Sequence, residues 1–329
     1  MKKMLFILLA GWVLTSCTDG QQQVATQKIT VGAGPEDMVI DRSADHPRLL
    51  ISCCERRDEN PPFGEIVAYT PATGAIDTLT RTGMPDSLFF QPHGIFLDSD
   101  HAPPLLYAIS HEHDKGFHPV YVWEVGDSTL VFRELIRSEL LHSPNALTIG
   151  TNGELYVVND AGKRGSMIEK ALKLNRANIV RLEKNADGKW KSTVAAEKLG
   201  YPAGINRIGD TLFAGDAINH RLHLYHITGE GLVPLEPVKK LRGNDNIRVI
   251  DDMIYLTGHV KPLKFIGHAK SGDKLSPVAA WEVDPVTGNI TTLFTTDGSL
   301  ISAGSTAVML NGDLYICQVF EPFILRVEM

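Results

Sequence analysis

Cysteine is scarce. The chain has four in 329 residues, too few to staple a fold of this size. Cys17 falls in an N-terminal segment with the look of an export signal, and Cys53 and Cys54 are neighbours, a spacing that strains a disulfide. Cys53 and Cys317 sit inside apolar β-like runs, so buried free thiols are expected and packing must hold the fold. A basic run is also missing. Lys and Arg total 32 against 39 Asp and Glu, a net charge of −7, and this excludes nucleic acid as a partner. Beyond Leu14 no stretch approaches the ~20 apolar residues that cross a bilayer. No Gly-rich phosphate loop precedes a helix and no Gly-x-Ser-x-Gly elbow occurs, which disfavours nucleotide binding and serine hydrolysis. The chain is nonetheless 43% hydrophobic and 22% charged, a globular composition that supports a large core.

What is present is a repeat. Six times a turn leads through a polar or small residue into a short apolar run: Glu36–Ile40, His93–Leu97, Asn145–Ile149, Ala203–Ile208, Asn246–Ile250 and Ser305–Met309. Each is followed by a second run (Leu49–Ile51, Leu106–Ala108, Leu155–Val157, Leu212–Ala214, Ile254–Leu256, Leu314–Ile316) and then a third (Ile66–Tyr69, Val120–Trp123, Ile179–Leu182, Leu222–Tyr225, Val278–Trp281, Ile324–Val327). Six units of at least three strands, roughly 40–60 residues apart, predict an all-β, six-bladed β-propeller. Lys28–Gly32 alternates polar and apolar ahead of the first unit, and it is expected to close the ring by completing blade six. One stretch breaks the β rhythm. Residues 165–174, with Ser166 as N-cap and Ile168, Ala171 and Leu172 at helical spacing, predict a short helical insertion in blade three.

The N-terminus reads as a processing signal. Lys2 and Lys3 precede an apolar run from Met4 to Leu14, then Leu14-Thr15-Ser16-Cys17. That ending resembles the lipobox of bacterial lipoproteins, which implies a lipid anchor on Cys17; an ordinary signal peptide is the alternative. Thr18 after the cysteine implies, by the same resemblance, an exported lipoprotein of the outer membrane. The domain reading is therefore a leader over 1–17, a tether over 18–27 and the propeller over 28–329.

The innermost strands of a propeller line its axis, so residues at one end of all six converge. That position reads Glu36, His93, Asn145, Ala203, Asn246 and Ser305, with Asp37 and Asp245 adjacent. Burying carboxylate and amide groups together is costly unless something satisfies them. Oxygen donors without thiolates point to calcium rather than zinc or copper; a water-filled polar channel is the plain alternative.

Gly34-Pro35-Glu36-Asp37, Gln91-Pro92-His93-Gly94-Ile95, Ile109-Ser110-His111, Pro144-Asn145, Ala203-Gly204-Ile205-Asn206, Asp245-Asn246-Ile247, Gly258-His259 and Gly304-Ser305-Thr306 together resemble the paraoxonase/arylesterase family, in order from Gly34 onward. The resemblance implies a calcium-dependent hydrolase of lactones and aryl esters. By it Glu36, Asn145, Asp245 and Asn246 match ligands of a catalytic calcium. His93 and His111 match a histidine dyad, and His259 a third pocket histidine. Asp37 and the backbone carbonyl of Ile95 match ligands of a second, structural calcium. Two departures stand out. Ala203 replaces an Asn ligand, and Ala146 replaces an Asp of the second site. Asn206 lies three residues beyond Ala203, on the opposite face of its strand, and is a poor substitute.

The implied chemistry has the ion polarising the carbonyl while His93 activates water and His111 orients it and relays the proton. Asp245 either ligates the ion or attacks the carbonyl. Two other readings remain open: a non-catalytic propeller lipoprotein that binds a ligand or partner, and a sugar-lactonase of the gluconolactonase type.

Overall fold

Short strands that are apolar on both faces need cover on both sides, and stacking the sheets around an axis supplies it. The computed structural model describes residues 24–57, 62–111, 118–163, 169, 172 and 174–329. Their strands form six sheets, one for each sequence unit. The inner strands are Pro35–Asp41, Pro92–Asp98, Pro144–Ile149, Ile205–Ile208, Asn244–Ile250 and Gly304–Leu310. Each lies at one edge of its sheet and packs against the inner strands of both neighbours, closing a ring. The fold is a six-bladed propeller.

The ring closes as expected. Thr26–Thr30 pairs antiparallel with Phe323–Glu328, Thr26 opposite Val327, so the first strand completes the last blade. It starts at Thr26, inside the stretch read as a tether. Ile29, its buried residue, joins a cluster with Ile324, Val308 and Met38.

The core is split into six apolar clusters, one at each blade–blade interface. Alternation explains the split. Along Arg48–Cys54, Leu49, Ile51 and Cys53 face blade six while Leu50 faces blade two. A strand serving two interfaces has no polar face, hence the continuous apolar runs. Trp123, Tyr121 and Tyr156 are fully buried in these wedges, and burying each large side chain contributes about 1.5–3 kcal/mol. Cys53, Cys54 and Cys317 are free and buried, and burial pushes each thiol's pKa up, which keeps them inert.

The helix expected in blade three and the leader with Cys17 lie almost wholly outside the described residues. The one helix whose bounds fall within them is in blade five, at Pro262–Lys270, between the second and third strands. It begins at a proline, has no acidic residue in its first turn and no side-chain cap, and so lacks most of the usual start signals.

Candidate functional site

At the start of five inner strands the ladder slips. Pairing jumps from Pro35 to Asp37, Pro92 to Ile95, Pro144 to Ala146, Asn244 to Ile247, and Gly304 to Ala307. The residues skipped are Glu36, His93 with Gly94, Asn145, Asp245 with Asn246, and Ser305 with Thr306. A bulge re-aims the side chain it carries, and here it turns polar groups out of the ladder at one end of the channel. Blade four is the exception. Its inner strand pairs without a slip from Ile205 onward, and the residue at this level is Ala203.

Glycine allows the close approach. A β-carbon at Gly94 would collide with the Asn145 carbonyl, and one at Gly204 would sit 2.6 Å from the Ile247 nitrogen and 2.7 Å from the Asp245 oxygen.

Glu36 is the centre of the cluster. Asn246 Nδ2 donates to its Oε1 at 3.0 Å. Its Oε2 lies 3.3 Å from His93 Nδ1 and 4.0 Å from Arg56 Nη2. Ser305 and Thr306 hydroxyls donate to its backbone carbonyl at 2.5 and 3.0 Å. Burial, with Asp37 and Asp245 nearby, pushes the Glu36 carboxyl up to about 8, against opposing pulls from Arg56 and Asn246.

The two dyad histidines meet. The His93 and His111 ring centroids are 4.3 Å apart. His111 Nε2 lies 2.8 Å from the Pro144 carbonyl, and since a carbonyl only accepts, that nitrogen carries the hydrogen. His259 Nε2 lies 2.8 Å from Asp245 Oδ2, and its ring packs at a tilt against Phe265 of the helix, the centroids 4.0 Å apart. Helix position is fixed in turn by His268, buried, which contacts Glu321 at 3.1 Å, and Glu321 is paired with Arg57 at 2.9 Å. Burial works to raise the Glu321 pKa, yet the bonds from His268 and Arg57 outweigh it and leave the carboxyl below its usual range. Asn145 is buried beside Gly94, and its Oδ1 has no hydrogen-bond partner among the described residues. Asn206 is spent elsewhere, donating to the Ile247 carbonyl at 3.3 Å.

Asp37 and Ile95 are also brought together, but by a residue absent from the sequence reading. Arg248 pairs with Asp37 Oδ2 and donates to the Ile95 carbonyl at 2.9 Å. Its signal was an arginine inside a strand otherwise buried on both faces. Arg56 was missed as well, because it follows a strand where an exposed arginine is ordinary.

The arylesterase family model matches residues 63–325. The chain belongs to the arylesterase family. It is 25% identical to human serum paraoxonase/arylesterase 2 over 247 residues, 72% of this chain and 68% of that protein. The bovine serum paraoxonase/arylesterase 2 is 24% identical over 243 residues, 70% and 67% of the respective chains. Among solved structures, a luciferin-regenerating enzyme superposes with a TM-score of 0.58 at 9% identity, covering 93% of this chain and 95% of that one. An aldose sugar dehydrogenase of Streptomyces coelicolor gives 0.54 at 14%, covering 93% and 98%. These structural likenesses concern the propeller fold. For this arylesterase-family chain the family match supports a hydrolase, and the site geometry bears on how it would work.

Proposed function

We propose that the chain hydrolyses lactones and aryl esters at this channel mouth with the help of a calcium ion. The observation that carries this reading is a set of buried oxygens, Glu36 Oε2, Asn145 Oδ1 and Asn246 Oδ1, that no hydrogen-bond donor satisfies among the described residues. Leaving each so costs about 1–3 kcal/mol, and an oxygen-coordinated hard cation offsets that cost. No group of three or more His, Cys, Asp or Glu side chains converges on a point among the described residues. The donor set here has two carboxylates and is otherwise amide, which suits calcium and not a transition metal. Glu36, Asn145, Asp245 and Asn246 would hold the ion, with water in the place Ala203 leaves without a side-chain oxygen.

When bound, calcium supplies a Lewis acid that polarises the ester carbonyl and stabilises its oxyanion. The remaining work falls to the chain. His93, its side chain 13% exposed and its ring 3.3 Å from Glu36 Oε2, would take the proton of the attacking water. His111, with Nε2–H on the Pro144 carbonyl and its ring 4.3 Å from that of His93, keeps His93 in place. His259 holds Asp245 through Oδ2 at 2.8 Å, which would leave Oδ1 as the oxygen available to an ion. Phe265 and the rest of the helix brace His259 from outside. Water adds to the carbonyl as His93 takes its proton, the acyl C–O bond of the ester breaks, and the leaving alkoxide takes that proton back from His93.

The test is turnover of a panel of lactones and aryl esters with calcium and after chelation. Full activity in EDTA would sink the reading. The same proposal sites the chain on the outer membrane through lipid on Cys17, and Cys17→Ser should release it into the soluble fraction.

A further inference from the structure

Below the candidate site a second cation position is already filled. By resemblance, Asp37 and the Ile95 carbonyl face a second calcium, yet one side chain takes both. Arg248 Nη2 pairs with Asp37 Oδ2 and donates to the Ile95 carbonyl at 2.9 Å, while Nε donates to the Met38 carbonyl at 2.8 Å. Asp37 has no capacity left. Its Oδ2 also accepts from the Ile95 N–H at 2.8 Å, and its Oδ1 accepts from the Met38 N–H and the Thr306 hydroxyl, each at 2.9 Å. Four donors use up the carboxylate's roughly four acceptor sites. Ala146, standing where the resemblance implies a second carboxylate, offers a methyl group. The residues do not fit a second calcium.

Charge gives the same answer. One buried carboxylate against one guanidinium is neutral, as two carboxylates against a divalent ion would be. Asp37 is fully buried and Arg248 is 6% exposed, so the balance matters. A guanidinium also differs from an ammonium in having fixed, forked donors, and both Nε and Nη2 are in use here.

We infer that Arg248 is a tethered substitute for that ion, a cation built into the chain that locks the inner strands of blades one, two and five. Asp37 and Met38 belong to the first, Ile95 to the second and Arg248 to the fifth. Thr306 adds blade six through Asp37. A cavity of about 420 Å³ is lined by Arg248 together with Phe96, Asn206 and Arg207 among others. Among the described residues the ring therefore offers a place for at most one calcium, and its rigidity does not depend on a metal that chelators remove.

Three measurements test this. Calcium bound per chain, read by equilibrium dialysis, is expected to be no more than one; two would overturn the inference, whereas none would strike the proposed catalytic ion and leave Arg248 in its role. Arg248→Met strands a buried carboxylate and is expected to lower Tm by about 5–10 °C, equally with calcium or EDTA, with Arg248→Lys recovering part of the loss. An unchanged Tm would overturn it. If Arg248→Met does not fold, the pair Ala146→Asp with Arg248→Ser decides. It restores two carboxylates without the internal cation and should bind one more calcium than the wild type, with Tm rising as calcium is added. A folded double variant that binds no extra calcium would overturn the assignment.

Discussion

Asn246 donates from Nδ2 to Glu36 Oε1 at 3.0 Å, joining side chains 210 residues apart. The bond commits one polar atom of each and leaves the other, Asn246 Oδ1 and Glu36 Oε2, buried without a hydrogen-bond donor among the described residues. Glu36→Gln keeps the shape and removes the charge. It should weaken calcium binding by about 100-fold, read by calorimetry, with little change in fold by circular dichroism. Binding at wild-type strength would mean that the ion, if any, sits elsewhere.

The raised Glu36 pKa sets a pH dependence with a definite sign. Its folded value, pushed up to about 8, lies above the ordinary 4.5, so the metal-free native state holds this proton more tightly than the unfolded chain does. The group's contribution to metal-free stability is therefore full below 4.5 and is lost as pH rises through 8. Calcium needs the ionised form and displaces the proton. Its affinity should fall about tenfold for each pH unit below about 8, and titration calorimetry in two buffers should detect proton release. A flat affinity from pH 6 to 9 would contradict it.

The paired histidines divide the work unequally. His93→Gln removes the base and should lower kcat by about 10²–10⁴-fold, whereas His111→Gln, which acts through His93, should cost less. The check is a pH–rate profile. The acidic limb should vanish in the first variant and shift in the second. Equal losses with unchanged profiles would assign both residues to packing.

Arg56 makes an opposing prediction. Its guanidinium lies 4.0 Å from Glu36 Oε2, so it lowers the Glu36 pKa and also repels a cation bound there. At a pH high enough to ionise Glu36 in both forms, Arg56→Met should tighten calcium binding about 3- to 10-fold. Near pH 7 the gain should shrink, because without Arg56 the carboxyl holds its proton harder. Weaker binding at both pH values would show that Arg56 organises the site.

Much of this architecture was legible because period-2 patterning and turn residues are local signals. The six inner strands, the closing strand at Ile29 and the buried free thiols follow from them, as does the gathering of Glu36, His93, Asp245 and Asn246 at one end of the channel. Bulges are not local signals. That Glu36 and Asn145 would be turned out of the ladder, and that Ala203 would stand on a strand without a slip, depends on how neighbouring strands pair. Arg248 eluded the reading for a related reason. In Asn246-Ile247-Arg248-Val249-Ile250 it reads as one polar residue in a strand, and only the ring brings Asp37 and Ile95 to it. The helix at Pro262–Lys270 carries few capping signals, and tertiary contacts through His268 and Phe265 hold it.

The pairing of Thr26–Thr30 with Phe323–Glu328 makes assembly order a property of this molecule. Its contacts span nearly the whole chain, the kind of non-local topology that folds slowly, and blade six stays one strand short until both extremities have met. Glu36 sits just after that seam and takes its carbonyl's hydrogen bonds from Ser305 and Thr306 across it. Competence to capture a cation should thus emerge late in refolding, after most β-structure has formed, and the lag between the two signals would time the moment the circle is completed.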